Sequence, residues 1–93
     1  MLTIFGYDEK IHKCVPCLNA KRFCTVKKLP YEFISVVNGK DENGPVFDKT
    51  VVDNLLTRLG RDTQVGLTMP QIFWGGEHIG GFDDLKTFFA KKA

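Results

Sequence analysis

The chain has 93 residues, of which 43% are hydrophobic and 26% charged, with 13 basic against 11 acidic side chains. This length predicts one domain, and the composition excludes disordered and collagen-like chains. The basic residues are spread along the sequence, so we expect no nucleic-acid partner. No apolar run approaches the roughly 20 residues that span a bilayer. Residues 1–10 lack the features of a secretory signal, so we expect a cytoplasmic protein with no membrane partner.

The first part of the chain predicts a strand, a helix and a second strand. The segment "LTIFGY" (2–7) is short, apolar and typical of a buried strand. A helix is predicted from Cys14 to Lys28, because Pro16 suits its first turn and Pro30 ends the segment. Its apolar face consists of small residues at helical spacing: Cys17, Ala20 and Cys24. The segment "YEFISVV" (31–37) is rich in strand formers and predicts the second strand.

The second part predicts a loop, a helix, a hairpin and a final helix. Residues 38–45, "NGKDENGP", are polar and predict a loop. Apolar residues then recur at helical spacing and predict the second helix, which Gly60 ends: Val51, Val52, Leu55, Leu56 and Leu59. The segments 71–74 and 77–80 predict two strands joined by a two-glycine turn. Residues 82–93 predict the last helix, with Asp83 as its N-cap and with a buried apolar face: Leu85, Phe88 and Phe89.

The predicted order of elements is βαβαββα over a single domain of residues 1–93. The first strand, helix and second strand form a parallel unit with a right-handed crossover. The last two strands form an antiparallel hairpin. The expected architecture is therefore an α/β fold in which three helices cover both faces of a four-stranded mixed sheet.

Cys14 and Cys17, within "HKCVPC" (12–17), carry the strongest chemical signal, and three kinds of site use their spacing. A structural zinc site needs four ligands, but Cys24 lies about 10 Å further along the same predicted helix, too far from Cys17 to share one metal. The same distance excludes a disulfide between those two residues. A bridge between Cys14 and Cys17 can close, but its small loop adds little stability and a reducing cytosol does not maintain it as a structural bond. We expect no metal.

A reactive dithiol accounts for more of the pattern. Cys14 is predicted where the loop after the first strand enters a helix, and the N–H groups and dipole at such a position favour a thiolate. Lys13 and, when protonated, His12 add positive charge. We therefore predict that Cys14 has a lowered pKa and attacks disulfides, and that the more buried Cys17 resolves the mixed disulfide. Cys24 is predicted as a small core residue. For His12, a functional role and an ordinary loop position both stay open.

Several segments are similar to those of the glutaredoxins, in particular the short glutaredoxins of T-even-type bacteriophages. They are "GYDEKIHKC", "CLNAKRF", "TVKK", "LLTRLGRDTQVGLTMPQIF" and "HIGGFD", and together they cover nearly the whole chain. Between the cysteines this sequence has Val15 and Pro16, where most dithiol glutaredoxins have Pro-Tyr and thioredoxins have Gly-Pro. The difference bears on redox potential and partner preference. The resemblance implies a thioredoxin fold and thiol–disulfide exchange through Cys14 and Cys17.

The resemblance also implies a glutathione site. The segment "TMP" (68–70) matches the family's Thr-Val-Pro, whose proline is cis and lies against the cysteines, and the backbone of Met69 would pair with the cysteinyl part of glutathione. The segment "GGFDD" (80–84) matches the region that holds the γ-glutamyl end at a helix N-terminus, where backbone N–H groups bind a carboxylate and Asp83 accepts from the ammonium. The implied binding residues are Lys13, Gln64, Thr68, Met69, Pro70, Gly81, Phe82 and Asp83. Residues expected to modulate the dithiol are Tyr7, His12, Val15 and Pro16.

The expected function is that of a glutathione-dependent thiol–disulfide oxidoreductase, with glutathione as co-substrate. The phage resemblance implies ribonucleotide reductase as the protein substrate and the host cell cytoplasm as the compartment. We expect a monomer. One alternative is a thioredoxin-like protein recharged by thioredoxin reductase. Another is an iron–sulfur cluster carrier, but such proteins usually keep only one cysteine of the pair. A shared fold does not separate these functions.

Overall fold

The computed structural model describes residues 1–92, with Lys92 described by its backbone alone, so that Ala93 of the predicted last helix lies outside the described residues. It contains six strands and three helices. The strands are β1 (Leu2–Gly6), β2 (Tyr31–Ser35), β3 (Val37–Asp41), β4 (Gly44–Phe47), β5 (Gln71–Trp74) and β6 (Glu77–Gly80). The helices are α1 (Val15–Val26), α2 (Lys49–Leu59) and α3 (Phe82–Lys92). Within residues 1–92, none of the helices is long and apolar enough to cross a membrane.

The main sheet has four strands in the order β2-β1-β5-β6, and this confirms the predicted mixed sheet. Strands β1 and β2 run parallel, while β5 is antiparallel to both β1 and β6. Because side chains alternate along a strand, Leu2 and Ile4 of β1 face one side of the sheet and Phe5 faces the other. Helices α1 and α3 cover the first side, through Ala20 and Leu85. Helix α2 covers the second side, so both faces are covered as predicted.

The segment predicted as a polar loop instead forms the hairpin of β3 and β4. The predicted second strand ends two residues early, at Ser35, whose hydroxyl donates to the carbonyl oxygen of Val37 at 2.6 Å and bends the chain. The strands β3 and β4 then pair through a tight turn, where the backbone N–H of Asn43 donates to the Asp41 carboxylate at 2.8 Å. The prediction was wrong here because the hairpin has little apolar alternation, and local turn chemistry decides its pairing.

The first two helices begin and end where local chemistry favours it. Helix α1 is shorter than predicted and begins after Cys14, whose sulfur accepts from a backbone N–H of the first turn. Asp48 caps α2 by accepting from the N–H of Val51 at 3.3 Å. The residue after α2, Gly60, has φ +69°, a left-handed conformation that glycine adopts without a side-chain clash. The predicted end of α2 is thereby confirmed.

The N-cap of α3 is Gly81, so the prediction of Asp83 as the cap was wrong. The carbonyl oxygen of Gly81 accepts from Leu85 N–H at 3.0 Å, which is the first bond of the helix. The N–H of Gly81 donates to the Asp84 carboxylate, also at 3.0 Å. Asp84 therefore reaches back to the cap from the third helical position, as in a capping box. Because the helix begins at Phe82, Asp84 and not the adjacent Asp83 is placed to accept from the N–H of Gly81.

Candidate active site

The two cysteines of the CxxC segment form a disulfide at the start of α1. Their Cα atoms are 5.3 Å apart, and the N–H of Cys17 points at Cys14 Sγ with an N–S distance of 3.3 Å. Cys14 is 9% exposed and Cys17 only 1%. Both sulfurs thus lie at the positive end of a helix dipole, and Cys14 is the one that an incoming molecule reaches more easily.

Gly6, the last residue of β1, leaves the space that the Cys17 sulfur occupies. A Cβ atom added at Gly6 would lie 2.9 Å from Cys17 Sγ and 3.2 Å from the ring of Phe33. No side chain fits there unless the sulfur or the ring moves. The glycine therefore belongs to the site, although the sequence suggests only that it ends a strand.

A groove of about 260 Å³ runs beside the disulfide, between the loop before β5 and the start of α3. The Met69–Pro70 peptide bond is cis, as the resemblance implied. The groove brings together most of the residues that the resemblance assigned to glutathione. They are Thr68, Met69, Pro70, Gly81, Phe82 and Asp83, joined by Pro16, Asn19 and Asp84. Residues distant in sequence thus form one surface at the first turns of α1.

At the α3 end of the groove, the two aspartates have different roles. The Asp84 carboxylate is occupied by the N–H of Gly81. The Asp83 side chain is 93% exposed and lies 3.5 Å from Lys86 Nζ. The backbone N–H groups of Phe82 and Asp83 lie in the first turn, where a helix has no internal acceptors for its N–H groups. This end of the groove can accordingly accept an anion on its backbone and a cation on Asp83.

A smaller pocket of about 40 Å³ opens on the other side of Met69. Gln64, another predicted site residue, lines it together with Tyr7 and Phe47. The Tyr7 ring lies 4.8 Å from the ring of His12 and 6.2 Å from that of Phe47. The unpredicted β3–β4 hairpin thus supplies an aromatic side chain, that of Phe47, to this pocket.

Three predicted residues lie near the disulfide but line neither the groove nor the smaller pocket. The side chains of His12, Lys13 and Val15 are all exposed, and Val15 is 52% exposed. Lys13 carries its charge next to Cys14 without entering the groove. Of the residues next to the cysteines in sequence, these three lie outside the groove, whereas Pro16 lines it.

Cys24 lies on the buried face of α1 and is fully inaccessible, as predicted for a core residue. Burial raises the pKa of its thiol from the ordinary 9.0 to about 11, because the apolar surroundings disfavour the charged form. Among the residues that the structure describes, no group of three or more His, Cys, Asp or Glu side chains is placed to hold a metal ion.

Four residues of the site are not identified by sequence reasoning. Gly6 lies against Cys17 Sγ, Phe47 contacts the ring of Tyr7, and Asn19 and Asp84 line the groove. The signal for Asn19 is its position two residues after Cys17 on the first turns of α1. Asp84 lies within the quoted "GGFDD", but which of the two aspartates binds the N-cap of α3 depends on the residue at which the helix begins. Phe47 has no local signal, because the fold of the hairpin brings it to Tyr7.

Comparison with known proteins identifies the family. The chain is 57% identical to the glutaredoxin of Enterobacteria phage T4 over 90 residues, which are 96% of this chain and 99% of that protein. The chain belongs to the glutaredoxin family. A second relative is glutaredoxin 1 of Rickettsia bellii (strain RML369-C), 38% identical over 72 residues that cover 77% of this chain and 63% of that protein. No protein-family model matches the chain.

Solved glutaredoxin structures share the fold. A crystal structure of a buckwheat glutaredoxin–glutathione complex matches with a TM-score of 0.65 at 23% identity, covering 98% of this chain and 69% of that one. As a glutaredoxin with a disulfide at its CxxC segment, the protein is a thiol–disulfide oxidoreductase.

Proposed function

We propose that this glutaredoxin is glutathione-dependent, with Cys14 as the attacking thiolate and Cys17 as the resolving thiol. The observation that carries the assignment of roles is the position of Cys14 as N-cap of α1, with its sulfur aligned to the N–H of Cys17. In the reduced protein this N–H and the helix dipole stabilise negative charge on Cys14 Sγ, so we expect the pKa of Cys14 to lie below that of an ordinary thiol. The greater burial of Cys17 suits a thiol that reacts only with its neighbour.

The reaction reduces one disulfide by two electrons. The Cys14 thiolate attacks one sulfur of the substrate disulfide, forms a mixed disulfide and expels the other sulfur as a thiolate. Cys17 loses its proton and attacks Cys14 Sγ, so that the second substrate sulfur leaves as a thiolate. Solvent protonates the products, and the enzyme retains the Cys14–Cys17 disulfide.

Two glutathione molecules return the enzyme to its reduced form. The first glutathione thiolate attacks Cys14 Sγ and releases the Cys17 thiolate. The second attacks the glutathione sulfur of that mixed disulfide, which gives glutathione disulfide and regenerates the Cys14 thiolate. Each bond that forms is a disulfide that replaces another, so no further oxidant or reductant is needed.

The groove supports glutathione as the co-substrate. We assign the γ-glutamyl carboxylate to the backbone N–H groups at the start of α3, and its ammonium to Asp83. The cysteinyl part pairs with the backbone of Met69, beside the cis-proline. Lys13 and Gln64 take the glycine carboxylate, with Gln64 on the far side of Met69 from the groove. The buckwheat protein of similar fold was solved as a complex with glutathione.

The protein substrate that we propose is ribonucleotide reductase, in the cytoplasm of a host cell. The support for this partner is the similarity to the phage T4 glutaredoxin over nearly the whole chain. We expect Tyr7, His12, Val15 and Pro16 to modulate the reactivity of the dithiol toward this partner.

One pair of assays tests glutathione dependence. A glutathionylated peptide is turned over with glutathione, glutathione reductase and NADPH, and in parallel with thioredoxin reductase and NADPH alone. We expect saturable turnover in the first assay that is lost in a Cys14→Ser variant. Turnover only in the second assay would assign the protein to the thioredoxin-like alternative.

A further inference from the structure

Gln71, the first residue of β5, is a polar side chain that is only 9% exposed. An amide that leaves water without hydrogen-bond partners is costly, so a buried glutamine must be paired. Gln71 lies directly after the cis-proline and does not line the groove. Its burial therefore concerns the support of the loop and not contact with a ligand.

Two hydrogen bonds fix the orientation of the Gln71 amide. Its Nε2 donates to the carbonyl oxygen of Thr68 at 2.7 Å. Its Oε1 lies 2.8 Å from Nε2 of His78. A backbone carbonyl can only accept, so the amide nitrogen must face Thr68 and its oxygen must face the histidine. His78 Nε2 therefore carries a hydrogen, in the neutral or the charged ring.

The sheet positions His78 for this bond. The register between β5 and β6 shifts between the pairs Ile72–Gly80 and Phe73–His78, which makes Ile79 an extra residue on β6. The imidazole then packs on the ring of Phe73, with the ring centroids 5.0 Å apart. The bulge and the aromatic contact hold the donor in place.

The consequence for the site follows from the peptide unit that Thr68 and Met69 share. This peptide is trans, since the cis bond is the next one, so its C=O and N–H groups point in opposite directions. Gln71 binds the C=O on the inner side of the loop, and the N–H of Met69 therefore points outward. Among the described residues this N–H has no hydrogen-bond partner, and both Thr68 and Met69 line the groove.

We propose that Gln71, oriented by His78, is a positioning residue that aims the Met69 N–H at the backbone of the bound disulfide substrate. The proposal rests on the proposed function, in which that backbone pairs with Met69. Without the amide, the Thr68–Met69 peptide can rotate, and the substrate must then bind a donor that is no longer fixed. Gln71 thus acts on substrate binding through the loop, and it does not touch the reacting sulfurs.

The test compares Gln71→Met, of similar shape but without the amide, with Asn54→Ala as control. Asn54 accepts from Arg58 Nε at 3.0 Å on exposed α2, so the control also removes a side-chain amide. We expect Gln71→Met to raise KM for a glutathionylated peptide about three- to tenfold, the range for one net hydrogen bond, with kcat within about twofold of the parent. The Kd of S-methylglutathione, measured from the Met69 amide resonance, should rise by the same factor. An unchanged KM and Kd in a folded Gln71→Met protein would overturn the proposal.

A second variant covers the case in which Gln71→Met does not fold. His78→Phe keeps an aromatic ring on Phe73 and removes only the donor to Gln71. We expect about a two- to threefold rise in the same KM and a shifted Met69 amide resonance. If neither changes, Gln71 has no positioning role.

Failure of glutathione dependence is separable from failure of this inference. If the parent protein neither binds S-methylglutathione nor is recycled by glutathione, a peptide disulfide with dithiothreitol as reductant replaces the first assay. A raised KM of Gln71→Met for that peptide would retain the positioning role and discard glutathione. Equal KM values for variant and control would discard the positioning role itself.

Discussion

Cys14 and Cys24 lie at two positions of the same helix and have opposite environments. Cys14 caps the start of α1, where its sulfur meets the backbone N–H of Cys17. Cys24 lies in the core between the sheet and α3, fully inaccessible, with a pKa raised to about 11. The position of these two thiols along α1, and not their residue type, therefore sets their chemistry.

The physical difference is the availability of backbone N–H groups and of water. At a helix start these groups have no internal acceptor and can stabilise an anion. Further along the helix the backbone N–H groups are all bonded to carbonyl oxygens. A charged sulfur in the apolar core loses its hydration and gains no hydrogen bonds that replace it. The two aspartates in the first turn of α3 differ instead in their partners, since Asp84 accepts from the N–H of Gly81 and Asp83 lies beside Lys86.

Selective alkylation tests most directly whether Cys14 and Cys24 differ in reactivity. Treatment of the reduced protein with iodoacetamide at about pH 7 should modify Cys14 about a thousandfold faster than Cys24, since a thiol with a pKa of about 11 is almost never a thiolate at that pH. Peptide mass mapping over time measures both rates. Comparable rates in the native protein would remove the distinction between the two environments.

Cys17→Ser and Cys24→Ala separate the resolving thiol from the core thiol. Cys17→Ser should reduce protein disulfides no faster than the uncatalysed reaction, yet keep part of its activity on glutathione mixed disulfides, because glutathione can replace the resolving thiol. Cys24→Ala should keep both activities. The two assays are insulin reduction and deglutathionylation of a peptide, and simultaneous loss of both in Cys17→Ser would contradict the assigned roles.

Alkaline destabilisation should reveal the buried thiol in the oxidised protein, where Cys14 and Cys17 do not titrate. Between pH 9 and 11 the unfolded chain loses the Cys24 proton while the folded chain keeps it, so the free energy of unfolding falls as the pH rises through this window. The loss should be about 2 kcal/mol relative to Cys24→Ala. Urea unfolding of both proteins across the window measures this loss. If the free energies of unfolding of the two proteins vary with pH in the same way, burial does not raise the pKa of Cys24.

The two aspartates at α3 provide the smallest predicted effect. Asp83→Asn removes a charge without touching the cap, so we expect KM for glutathione to rise about three- to tenfold with stability nearly unchanged. Asp84→Ala removes the bond to Gly81 N–H and should cost about 1 kcal/mol of stability. Thermal unfolding and glutathione kinetics on both variants check the assignment. If Asp83→Asn leaves KM unaltered, the ammonium of glutathione binds elsewhere.

The sequence determined the main sheet, the three helices and the dithiol, because each of these has a local cause. Apolar periodicity marks α2, Gly60 ends it, and the strands around Gly75 and Gly76 follow from a two-residue turn. The placement of Cys14 at a helix start follows from the order of strand, loop and Pro16. The cis-proline and the groove residues came from family resemblance and not from any pattern within the chain.

Only the tertiary structure decided which residues meet around these elements. The β3–β4 hairpin, the choice of Asp84 over Asp83, and the contact of Gln71 with His78 depend on where helices start and how strands align. The fold also brings the sulfur of Cys17, in the first turn of α1, against Gly6 at the end of β1, where a side chain would clash with it. Each of these contacts depends on the geometry of a turn, of a helix start or of a strand pairing, and the pattern of residue types along the chain does not specify that geometry.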